Sequence, residues 1–228
     1  MKRKIIVQKI AELIHQFPCR HPLRLAIDGV DASGKTTFAD ELAAGLKHTQ
    51  RQIIRASVDN FHHSKKIRRA KGDLSPQGFY NDSFNYPALI NHLLEPLGPL
   101  GNRRIKRSAF DLRKDQPLTP PTQTALPDAI LLLDGIFLLR PELFSFWDLT
   151  IYLHADFDRS FSRGVARDTN LYGSKEEVSR RYQRRYIPGQ KLYMAEAHPQ
   201  DRADILIDNT HLDSPRILKI SNKLLQSN

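Results

Sequence analysis

The stretch that most restricts how this chain can fold is Leu25-Ala26-Ile27-Asp28-Gly29-Val30-Asp31-Ala32-Ser33-Gly34-Lys35-Thr36-Thr37. An apolar run ends at a glycine, four residues follow, and Gly-Lys-Thr then opens a helix-forming segment. The pattern G-x-x-x-x-G-K-[ST] between a strand and a helix is that of a phosphate-binding loop. Glycine lets the backbone curl until successive N–H groups point at one anion. The helix that follows adds the positive end of its dipole. Gly29, Val30, Asp31, Ala32, Ser33, Gly34, Lys35, Thr36 and Thr37 are therefore expected to cradle the phosphates of ATP or another NTP. Lys35 would reach the terminal phosphates, and the Thr36 hydroxyl would serve Mg²⁺.

The 228 residues suffice for one sizeable α/β domain, with 40% hydrophobic and 26% charged residues, the balance of a globular chain. A lone cysteine, Cys19, excludes an internal disulfide and suits a reducing, cytoplasmic setting. The apolar stretch 129–139 is broken by Asp134 and is too short to span a bilayer. Near the basic N-terminus, Ile6, Ile10, Leu13, Ile14 and Phe17 recur at helical spacing, which predicts an amphipathic helix over 4–17 rather than an export signal. The formal net charge is +10, with cations bunched at 65–71, 103–107 and 180–185. No aromatic-basic motif accompanies them, so anionic small molecules are a better match than nucleic acid. Self-association into a homo-oligomer is left open by the sequence.

Along the chain, apolar runs at 23–28, 52–58, 129–135, 149–154 and 203–208 read as strands, the central ones buried on both faces. Helical patterns follow the loop and recur at 86–97, 156–168, 174–186 and 215–225, with Pro188 and Gly189 expected to end the one at 174–186. Residues 60–86 form a long polar and aromatic connection, 105–113 a strand or hairpin arm, and 116–127 a surface crossing. Strands alternating with helices predict an α/β fold: a three-layer, doubly wound, mostly parallel sheet. A single domain over 1–228 is expected, with a lid around 160–190.

Ligands of such sheets bind beyond the carboxyl ends of the strands. Asp59 follows one strand and can position or deprotonate an acceptor hydroxyl. Asp134 ends another and, with Thr36, can hold Mg²⁺. Arg159, Arg163 and Arg167 lie four apart on one helical face, where Arg163 and Arg167 can steady charge on a transferring group. With Lys35 and Asp59 they form the expected catalytic set. His62-His63 lacks a third ligand and is not read as a metal site.

Over about residues 23–208 the chain resembles the uridine kinase and phosphoribulokinase family of P-loop kinases. The marks are Gly-Val-Asp-Ala-Ser-Gly-Lys-Thr (29–36), Val-Asp-Asn-Phe (58–61), Asp134-Gly135-Ile136, Arg163-Gly164-Val165-Ala166-Arg167-Asp168, Tyr186-Ile187-Pro188 and Ala203-Asp204-Ile205-Leu206-Ile207. The resemblance implies a nucleoside- or nucleotide-kinase-like P-loop fold. It makes Asp59 the catalytic base, Thr36 and Asp134 the Mg²⁺ positions, and Arg163 and Arg167 the lid arginines. Asp59, Phe61, Asp82, Phe110 and Arg163 would then meet the acceptor. The acceptor side departs from the family. Phe110-Asp111 stands where uridine kinases carry Tyr-Asp, Asp115 where a His is expected, and Leu171-Tyr172-Gly173 in place of the lid Arg-Gly-Arg. Asp82, in Asn-Asp-Ser-Phe (81–84), is a rough counterpart of the family's ribose-binding Asp. The expected activity is phosphorylation of a hydroxyl on a small molecule, a nucleoside such as uridine or cytidine. A sugar, sugar phosphate, vitamin precursor or nucleotide is the alternative acceptor, and Asp31 is the loop residue expected to reach it. An NTP-binding regulatory or nucleic-acid-binding protein is the reading from another class.

Overall fold

A computed structural model describes residues 2–225, so the ends of the expected 1–228 domain lie outside the described residues. The chain opens with helix α1 (Lys2–Gln16) and enters strand β1 (Leu23–Gly29). The loop leads into α2 (Lys35–Gly45), and β2 (Ile53–Ser57) follows. After α3 (Pro76–Asp82) come β3 (Ile130–Asp134) and β4 (Leu149–His154). Helices α4 (Phe157–Tyr172), α5 (Lys175–Arg181) and α6 (Ile187–Ala197) precede β5 (Ile205–Asp208) and β6 (Arg216–Ile220). One six-stranded sheet runs in the order β6-β5-β4-β1-β3-β2, parallel except for the antiparallel pair β5–β6.

Alternate residues of the inner strands serve two cores, because successive side chains of a strand point to opposite faces. Leu25, Ile27, Leu132 and Ile151 pack with Val7, Ile10 and Ile14 of α1 and Phe38 and Leu42 of α2. Ala26, Leu131, Leu133 and Tyr152 face the other layer, built from Phe79, Leu89, Leu93, Tyr193 and Ala197. Helices thus cover both faces of a mostly parallel sheet, as the alternation of strand and helix predicts. Strand β1 lies between β3 and β4, so the chain leaves it toward one edge and later returns to fill the other. Such a switch point opens a crevice at the carboxyl ends of the strands.

Three elements differ from the sequence pattern. The segment expected as a last helix over 215–225 is mostly the edge strand β6, followed by a single turn at Asn222–Leu225. Ile217 and Ile220 pack on the α1–α2 core while Leu218 faces outward, so pairing with β5 and burial of branched side chains override the helical spacing. The helix expected to stop at Pro188 instead continues: α5 passes through a π turn (Tyr182–Tyr186) directly into α6. Pro188 has no N–H to donate and would crowd a regular turn; the wider turn before it absorbs that demand. Residues 105–113 give only fragments of two ribbons, Arg104–Ile105 with Gln123–Thr124 and Phe110–Asp111 with Gln116–Pro117.

Candidate active site

The loop closes tightly on the sheet. A side chain at Gly29 would run into the Leu153 carbonyl of β4 and come within 2.8 Å of the Ser33 hydroxyl. Gly34 caps α2 at φ 90°, a left-handed conformation that glycine adopts without strain. Ala32 is also left-handed, at φ 53°. Val30 and Ser33 are buried, while Thr36 and Thr37 stand exposed at the start of α2. The Lys35 ammonium is folded onto the Val30 carbonyl at 2.7 Å. Burial lowers its pKa, and the carboxylates of Asp31, Asp28, Asp59 and Asp134 oppose that shift. One cation thus stands among four acids that the sequence scatters over more than a hundred positions.

Asp134 ends β3, in register with Ile27 of β1 and Ser57 of β2. Its carboxylate accepts the Thr36 hydroxyl at 2.7 Å and pairs with Arg55 at 3.0 Å. Sequence reasoning missed Arg55, although a charged residue in the middle of an otherwise apolar strand was a visible signal. Its guanidinium also donates to Asp40 and to the Leu132 carbonyl. Sequence reasoning missed Asp28 as well. This carboxylate is wholly buried and accepts the Gly29, Leu138 and Leu139 N–H groups and the Tyr193 hydroxyl. Burial outweighs those donors and pushes its pKa up to about 6.

Asp59 follows β2 in a 3-10 turn, its N–H donating to Ser57 Oγ at 3.3 Å. The residue is open to solvent at the crevice, yet dense protein around it raises its pKa; His62 and Lys35 oppose the shift, and Asp31 and Asp134 reinforce it. Proximity to His62 has a geometric basis. The His62 Nδ1 lies 2.9 Å from the Asp59 carbonyl and its ring leans on Phe84.

On α4, Arg167 pairs with Asp168 at 2.7 Å and with Asp31 at 3.2 Å. Arg163 donates instead to the carbonyls of Asn209 and Thr210. It lies beside a cavity of about 380 Å³ lined by Arg159, Ser162 and residues 210–214. Asn209 in turn donates to the Ser33 carbonyl at 2.7 Å, which joins that cavity to the phosphate loop. The structure therefore separates the two arginines that sequence spacing pairs.

The expected acceptor residues divide. Phe61 is wholly buried in the core and anchors the Asp59 turn; as a residue that offers its ring to an acceptor it is corrected. Phe110 is 7% exposed and sits on a ribbon held against that turn by the bond from Ala109 N–H to the Asn60 carbonyl, 2.9 Å. Asp82 is paired with Lys71 at 2.9 Å. Asp115 is spent on the Lys65 N–H at 2.7 Å and on Arg68 at 3.1 Å. A cavity of about 870 Å³ lies between α1 and α2, away from these acids.

The donor set suits the groups that such a loop binds. Two hard oxygens, on Thr36 and Asp134, lie together beside a glycine cradle and a lysine, the chemistry that Mg²⁺ and polyphosphate require. No helix among the described residues is long and apolar enough to cross a membrane.

The model of the phosphoribulokinase / uridine kinase family matches residues 25–212. The chain is similar to uridine kinase-like protein 5 of Arabidopsis thaliana, 27% identical over 92% of this chain and 45% of that protein. It is similar to a uridine kinase of Deinococcus deserti, 24% identical over 89% of this chain and 95% of the other. The chain thus spans less than half the length of the plant protein and nearly all of the bacterial one. Among solved structures, a possible uridine kinase from Bacillus stearothermophilus superposes with a TM-score of 0.72 at 19% identity, covering 90% of this chain and 99% of that one. At that identity the superposition speaks for the fold.

Proposed function

The chain belongs to the phosphoribulokinase / uridine kinase family, and from that premise we propose that it is a kinase. It would transfer the terminal phosphoryl group of ATP, or another NTP, to a hydroxyl of a small molecule, with Mg²⁺ held by Thr36 and Asp134. The observation that carries this reading is the convergence of Lys35, Thr36, Asp134 and Asp59 at the carboxyl ends of three neighbouring strands. Lys35 would leave the Val30 carbonyl for the donor phosphates. Asp59 would accept the proton of the acceptor hydroxyl as its oxygen bonds to phosphorus and the bond to the nucleoside diphosphate breaks. The bound metal would supply charge neutralisation on the donor phosphates. Arg163 and the adjoining cavity favour the nucleoside end of the donor, and Arg167 the phosphates.

A nucleoside such as uridine or cytidine is the proposed acceptor, supported by the names of the relatives. The engagement of Asp115 by Lys65 and Arg68 argues against a simple copy of a pyrimidine-reading site. A panel of nucleosides, nucleotides, sugars and sugar phosphates, scored by ADP release and product mass, tests this. Phosphorylated product from one class, lost in Asp59→Asn, supports the reading. ATP turnover that needs no acceptor, together with polynucleotide binding, would overturn it.

A further inference from the structure

Asp31 is an unusual occupant of a phosphate cradle, because it sets a carboxylate among groups that must attract an anion. Burial would raise its pKa, but Arg167, Lys35 and the Tyr182 hydroxyl outweigh burial and hold it below the usual range, so it is charged at neutral pH. The structure also shows where that charge is directed. Tyr182 donates its hydroxyl to Asp31 Oδ2 at 2.6 Å, and Arg167 approaches Oδ1 at 3.2 Å. The backbone of Asp31 is held as well: its N–H donates to the Gln190 side-chain carbonyl, and its own carbonyl accepts the Ser160 hydroxyl. Four side chains, from α4, the π turn and α6, thus converge on one loop residue.

Two further features are shaped around this contact. Gly164 lies in the middle of α4, where glycine costs about 1 kcal/mol relative to alanine. A Cβ there would collide with the Tyr182 hydroxyl and ring. Tyr182 itself begins the π turn, a departure from regular helix that turns its wholly buried ring toward the loop. Asp31 therefore faces the lid, in place of the acceptor contact that its position in the loop suggests.

We propose that Asp31 is the latch through which lid closure sets nucleotide affinity. With Tyr182 and Arg167 in place its charge is covered and the cradle attracts phosphate. With the lid withdrawn, the bare carboxylate repels phosphate from the same loop. Because such coupling is reciprocal, bound nucleotide must then favour the closed lid. Asp31 and Tyr182 act here as positioning residues, through the loop and through Arg167. The proposal rests on the nucleotide-binding part of the reading above.

The test is calorimetric titration of ADP with Mg²⁺ into the full chain and its variants. Asp31→Asn removes the charge and frees Arg167, so it is expected to tighten ADP about tenfold, and Asp31→Ser to act in the same direction. Tyr182→Phe is expected to weaken ADP about fivefold when Asp31 is present and to have no effect when Asp31 is Asn. Gly164→Ala, which displaces Tyr182 without altering it, should reproduce the Tyr182→Phe pattern. Weaker or unchanged ADP binding in both Asp31 variants overturns the latch, and so does an equal effect of Tyr182→Phe in both backgrounds. Wild-type chain that binds neither ADP nor GDP instead overturns the nucleotide-binding reading itself.

Discussion

Asp59 and Asp28 show how one sheet end gives two carboxylates different tasks. Asp59 opens to the crevice, where a raised pKa would make it a better proton acceptor in the proposed transfer. Asp59→Asn is expected to cut the rate of transfer by about two to four orders of magnitude while leaving ADP affinity close to wild type. A variant that keeps most of its turnover would remove Asp59 from the reaction. Asp28 is sealed beneath the loop with four donors around it, and its role is to tie β1 to the segment after β3. Its pKa rises from 3.8 to about 6 on folding. The folded state therefore binds more protons than the unfolded state between those values, and this group's contribution to stability falls as pH rises through that window. The loss amounts to about 3 kcal/mol, in full above pH about 6. Asp28→Asn retains an oxygen for Leu138, Leu139 and Tyr193 but cannot ionise. Its melting temperature should decline less than that of wild type between pH 4 and 6.5, and identical slopes would refute the assignment.

Where β1 meets the loop, the fit is between backbone and backbone. The Leu153 carbonyl occupies the space that any Gly29 side chain would need. Gly29→Ala should therefore cost at least about 2 kcal/mol in denaturant unfolding and abolish ADP binding, because β1 and β4 must separate to admit a methyl group. Full ADP affinity in that variant would show that the cradle tolerates a wider spacing. The helical arm from Lys175 to Ala197 makes a complementary point about elements. Ser174 caps it by accepting the Glu177 N–H at 3.2 Å, with Glu177 three residues on as in a capping box. Its far end does not stop at Pro188, since local breaker residues yield when a π turn and burial of Tyr182, Tyr193 and Ala197 favour continuation. The edge strand β6 repeats the lesson: helical spacing at 215–225 loses to pairing with β5.

Across the whole molecule, the proposed active site and a structural ion pair occupy opposite ends of the sheet. At the amino end of β1, the buried Arg24 forms a two-pronged, partly buried pair with Asp148, at 2.9 and 3.0 Å. Arg24→Met leaves Asp148 without its buried partner and should cost about 3–5 kcal/mol, with ADP affinity unchanged. A drop in affinity would mean that the two ends are coupled. The glycine-rich loop, the order of strands and helices around it, the acid that follows β2 and the acid that ends β3 were all legible along the chain. Each is a local pattern, in which spacing, burial on two faces and glycine placement follow from neighbouring residues. Arg55, Asp28 and the Tyr182–Asp31 contact were not, because each joins residues that only the sheet order and the helix crossing bring together. The same holds for the parting of Arg163 from Arg167 and for the burial of Phe61. Sequence by itself determined that a glycine-rich loop ending in Gly-Lys-Thr stands at the head of a mostly parallel sheet. Tertiary structure alone decided which charges face that loop, since Coulomb interactions depend on distance through space and not on separation along the chain.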